Sequence, residues 1–77
     1  MIEIIDGVKI TMSMDTLDLP HIQATYKNYH GLFSIKTGRL IKGNFPSEQV
    51  MSVENWVVLN EERLMFQWKL LTYSNKN

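Results

Sequence analysis

Residues 2–15 read IEIIDGVKITMSMD, and the Asp6-Gly7 step near their centre decides the fold. A two-residue hairpin turn of type I′ needs positive φ at both central positions, which Asp-Gly tolerates better than most pairs. After the turn, Val8, Ile10, Met12 and Met14 alternate with Lys9, Thr11, Ser13 and Asp15. That period of two describes a half-buried strand with one apolar face, as in an antiparallel sheet.

The pattern continues beyond a loop at residues 15–20, DTLDLP. Pro20 holds Leu19 extended and opens a third strand. In that strand Ile22, Ala24 and Tyr26 face one way, and His21, Gln23 and Thr25 the other. Lys27-Asn28 makes a tight turn into a fourth strand, Tyr29 to Ile35. The sequence KTGR then turns on Gly38, which takes the left-handed position, and a fifth strand, RLIKG, ends at Gly43. Such short connections imply an antiparallel meander.

The second half changes period. From Phe45 to Ser74 there is no Gly, and the one Pro, Pro46, suits a first helical turn. Val50, Val53, Trp56 and Val57 share one helical face. Asn60 followed by Glu61 and Glu62 reads as an N-cap with acids in the first turn of a second helix. Leu64, Trp68 and Leu71 make its stripe, which Met65, Phe66, Leu70 and Tyr73 widen almost to the whole circumference. The expected architecture is α+β: a meander of about five strands over residues 2–43, then two helices over residues 46–73 packed on one face, in a single domain of residues 1–77.

Composition bounds the function. A chain of 77 residues is one small domain, and with no Cys it has neither a disulfide staple nor a thiolate metal site. Formal net charge is zero, which argues against nonspecific nucleic-acid binding driven by counterion release. No apolar run approaches the ~20 residues of a membrane span. The start MIEIIDGVK lacks the features of a signal peptide, so a cytoplasmic protein away from the membrane is expected.

Three segments carry a resemblance. LPHIQATY, then SIKTGRLIKGNFP, then a Trp-bearing helix resemble the small bacterial proteins of domain of unknown function 4160. Typical members read Pro-Pro-His-Phe-His-Ala-x-Tyr, then Ser-Ile-x-Thr-Gly, then Gly-x-Leu-Pro and a helix with Trp. The resemblance runs over roughly residues 6 to 73. It implies no established biochemistry. It does imply a gene often found beside that of another small protein, as in toxin–antitoxin-like pairs. The histidine-rich motif is reduced here: His21 is kept, but Gln23, Leu17 and the Leu19-Pro20 step replace the other positions.

His21 with Asp18 or Asp15 could act as a general base, but no nucleophile accompanies it, and a half-exposed strand-start His bonded to backbone is the simpler reading. His21, His30, Asp15, Asp18 and Glu48 are the available metal donors. They do not converge on adjacent strands, so no metal and no cofactor is expected. Lys36, Arg39 and Lys42, near Tyr26, Tyr29 and Phe33, could form a nucleic-acid-binding hairpin, although ordinary surface lysines explain them as well. Trp56, Phe66, Trp68 and Tyr73 read mostly as core, as aromatics on helical stripes usually are, but together with Leu70 they exceed what two helices can bury against one sheet. They therefore mark a partner interface, as does IEII if it forms an open sheet edge. The preferred expectation is a non-enzymatic interaction protein that pairs with itself or with a small protein encoded nearby. The alternative is an RNA-directed toxin working through His21, Asp18 and the basic hairpin.

Overall fold

A computed structural model of the chain describes residues 2–13 and 19–74. Five strands form one antiparallel sheet in the order β1-β2-β3-β4-β5: β1 Ile2–Ile5, β2 Val8–Thr11, β3 His21–Tyr26, β4 Tyr29–Ser34 and β5 Leu40–Asn44. Two helices follow, α1 Ser47–Leu59 and α2 Glu61–Ser74. This is the expected α+β arrangement.

The turns form where their residues permit. Asp6 and Gly7 take φ of 46° and 76°, so the first hairpin is closed by the residues read as its turn. Lys27 also has positive φ, and Tyr26 pairs with Tyr29 across that turn. Gly38 turns β4 into β5 with φ 77°, and a Cβ there would sit 3.1 Å from the Glu54 carbonyl oxygen. The close approach of α1 to this turn therefore depends on glycine.

Three strand limits differ from expectation. The regular part of β2 stops at Thr11, and the continuation expected at Met14 and Asp15 lies outside the described residues. Strand β4 ends at Ser34: Ile35 N–H still donates to Pro20 O at 3.0 Å in the same register, but Pro20 has no N–H to return the bond. Strand β5 starts at Leu40 and runs to Asn44, with a register shift opposite Leu32 and Phe33.

Alternation sorts the strand residues as expected. Val8, Ile10, Ile22, Ala24 and Phe33 are buried with Ile35 and Phe45 on the helix side. From the helices, Val53, Val57, Leu64 and Trp68 close the same core, with Val50, Trp56 and Met65 packed at its margin. Each buried aliphatic or aromatic side chain contributes about 1.5–3 kcal/mol relative to exposure. The sheet and both helices thus share one core, as a small domain without disulfides requires.

At the helix junction Asn60 stands where expected, just before α2 and its acidic first turn, and its carbonyl accepts the Leu64 N–H at 2.9 Å. Asn60 ends α1: its backbone N–H donates to Trp56 O and Val57 O, and its Nδ2 donates to Trp56 O at 2.8 Å. Its Oδ1 accepts from Arg63 Nη2 of α2 at 3.3 Å, so the side chain bonds both helices. Arg63 also bonds Glu3 on β1 at 3.3 Å and lies over the Trp56 ring, 5.7 Å from its centroid. One guanidinium thereby ties the sheet edge to both helices.

Candidate functional site

The proline–histidine segment forms a structural cluster. His21 is 1% exposed, which corrects the expectation of a half-exposed ring. Its place in the strand alternation is on the side of Gln23 and Thr25, yet the ring packs on Trp68 of α2 with centroids 5.1 Å apart. Its Nδ1 lies 2.6 Å from Leu19 O. A carbonyl only accepts, so Nδ1 carries the proton in this contact, and in a neutral ring the lone pair is then on Nε2. Pro20 sets this geometry from both sides, by extending Leu19 and by accepting the Ile35 amide. Asp15 and Asp18, the acids expected to orient His21, lie outside the described residues.

His30 stands opposite Thr25, as its distance from the turn requires, and is exposed. Glu48 belongs to the first turn of α1. Among the described residues no three His, Asp or Glu side chains are grouped as metal donors.

The basic hairpin divides into separate parts. Lys42 joins Gln23, Thr25, His30 and Leu32 around an open groove of about 290 Å³, whose floor is Ala24, Gly31 and Gly43. Lys36 and Arg39 are exposed in and beside the β4–β5 turn. The Tyr and Phe rings expected to stack a base are elsewhere. Phe33 and Tyr26 pack on Phe45 at centroid distances of 5.6 and 6.5 Å. Tyr29, paired with Tyr26, shares its side of the sheet. The groove therefore has mixed walls, with Leu32 beside the polar side chains, and its one ring is His30.

The helices carry the largest exposed apolar side chains. On α2, Leu64 and Trp68 are buried and Leu71 is half-buried, at i, i+4 and i+7. Phe66, Leu70 and Tyr73 have the same spacing on the opposite side and are 62%, 51% and 79% exposed. Of the five residues expected at an interface, these three are open to solvent. Trp56 is half-buried beneath Arg63. Trp68 is a correction: it is 7% exposed because the His21 ring and the core close around it.

Sequence reasoning passed over Met51, Val58 and Leu59 on α1, which are also exposed. The available signal was the run Val57-Val58-Leu59, since three consecutive helical residues cannot share one buried face. Exposed Ile2 and Ile4 add an apolar element at the sheet edge. No described helix is long and apolar enough to cross a membrane.

A family model described as "Domain of unknown function (DUF4160)" matches residues 7–69, from the first turn into α2. No curated protein and no solved structure matches the chain.

Proposed function

The chain belongs to the DUF4160 family, and from that premise we propose that it is a non-enzymatic interaction module whose outer α2 face binds a second protein. The partner is a small protein encoded nearby, in a toxin–antitoxin-like pair, or a second copy of the chain. One observation carries this reading: α2 has two apolar stripes back to back. The inner one, Leu64, Trp68 and Leu71, serves the fold. The outer one, Phe66, Leu70 and Tyr73, has no role in the core. Side chains at i, i+4 and i+7 are the anchor pattern by which an amphipathic helix enters an apolar groove. Aromatic anchors also supply much of the energy at interface centres.

Catalysis is not part of the proposal, because the His21 ring is buried against Trp68 and its Nδ1 proton is committed to Leu19 O. The test is co-expression of the tagged chain with the product of the adjacent gene. Capture is expected with the unaltered chain and absent when Phe66, Leu70 and Tyr73 are all changed to Ser. Equal capture by the folded triple variant would remove the outer face from the account.

A further inference from the structure

We propose that β1 is a dimerisation strand, pairing antiparallel with β1 of a second copy about a two-fold axis centred on Glu3. This goes beyond the α2 reading, since it uses the sheet edge and none of the α2 outer residues.

The outward backbone groups follow from the hairpin. Ile5 and Val8 flank a two-residue turn, so they form a hydrogen-bonded pair. In an antiparallel ladder such pairs alternate with non-bonded ones. The N–H and C=O groups of Ile5 and Glu3 therefore turn toward β2, and those of Ile2 and Ile4 turn outward. Among the described residues β1 is the end of the sheet order, so those outward groups meet no further strand.

The two sheet edges are built differently. Strand β5 carries Lys42, a register shift and Gly43 with φ 101°, features that twist or charge an edge against pairing. Strand β1 has neither Pro nor Lys, and its register with β2 runs unshifted from Ile2 to Ile5. It is the edge left fit for strand addition.

Geometry selects the register. Directly paired antiparallel residues lie on the same face, and bonded pairs must join residues whose backbone points outward. Centring on Glu3 satisfies both conditions, because Ile2 of each copy pairs with Ile4 of the other. Centring on Ile4 instead would set Ile2 against Asp6, whose φ of 46° takes it out of the ladder.

The Glu3-centred register also joins the side chains sensibly. Ile2 and Ile4 are 66% and 72% exposed in the single chain. Across the two-fold they form one apolar cluster on the face away from the helices, the self-complementary patch that an isologous contact requires. On the helix side, Glu3 would meet Glu3 of the second copy, and like charges directly opposite oppose pairing. Arg63 answers this from within each chain, since its Nη2 already lies 3.3 Å from Glu3 Oε1. The axis would then be ringed by alternating carboxylates and guanidiniums.

The experiment is light scattering on the purified full chain at tens to hundreds of micromolar, with amide hydrogen exchange on the same samples. The expected mass is twice 9.0 kDa, with Ile2 and Ile4 amides protected. Ile4→Pro removes an outward N–H while sparing the β1–β2 ladder, and Ile4→Lys charges the edge. Both should give monomers with unchanged circular dichroism and unprotected Ile2 amides. Arg63→Ala should weaken the dimer several-fold. The dimer should persist in Phe66→Ser/Leu70→Ser/Tyr73→Ser, which separates this proposal from the α2 reading. A monomer at hundreds of micromolar would overturn it, as would a dimer that survives both Ile4 variants or whose Ile4 amide exchanges freely.

Discussion

The His21 imidazole packs on the Trp68 indole with ring centroids 5.1 Å apart and planes tilted by 55°, joining the start of β3 to the middle of α2. His21 is therefore a packing residue in this chain. His21→Ala should destabilise the protein by about 2–4 kcal/mol through the cavity and the lost bond to Leu19 O. Trp68→Ala should cost about 3–5 kcal/mol. Urea unfolding of both variants and the double mutant should give a coupling of about 0.5–1.5 kcal/mol. Additive losses would show that the rings do not interact.

A second prediction concerns the floor of the sheet groove. Gly43 has φ 101°, and a Cβ there would strike the His30 carbonyl oxygen and approach Gly31 Cα at 2.9 Å. Both obstacles are backbone, so Gly43→Ala should cost about 2 kcal/mol or more. A Cβ at Gly31 would approach Leu40 Cδ1 at 2.8 Å, the movable end of a flexible side chain. Gly31→Ala should therefore cost less than Gly43→Ala in the same unfolding series.

Gln67 provides a stabilising test. Its Oε1 is buried without a hydrogen-bond partner. Removing an unsatisfied buried acceptor recovers part of its desolvation cost, so Gln67→Met should stabilise the protein by about 1 kcal/mol. A thermal midpoint that falls would show that the acceptor is satisfied in solution.

The two α2 stripes should respond oppositely to substitution. Phe66→Ser and Tyr73→Ser, on the exposed stripe, should change stability by no more than about 0.5 kcal/mol. Leu64→Ala, on the buried stripe, should cost about 2–5 kcal/mol. Denaturation midpoints that shift equally for both stripes would mean that the outer one also serves the fold.

Local chemistry made most of the fold legible. Asp6-Gly7, Lys27-Asn28 and Gly38 turn where their backbone preferences allow, and the strands between them leave few alternative registers. The helical spacing of Val53, Val57, Leu64 and Trp68 likewise pointed to the core. What could not be read is tertiary. Alternation puts His21 on the side of Gln23 and Thr25, yet the ring is buried, with Trp68 arriving from a distant helix to pack on it. The same contact removes Trp68 from the expected interface. The early end of β4 depends on the β3–β4 register, which sets Ile35 opposite Pro20, a residue with no N–H to complete the pair. An apolar residue on a crowded helix can serve the core or a partner, and composition alone does not divide Trp68 from Tyr73.

The most direct test of the interaction account is the light-scattering mass of the chain co-expressed with its neighbouring gene product, measured beside the Phe66→Ser/Leu70→Ser/Tyr73→Ser form. The account predicts a larger assembly for the unaltered chain, lost in the folded triple variant. Identical masses for the two would contradict it.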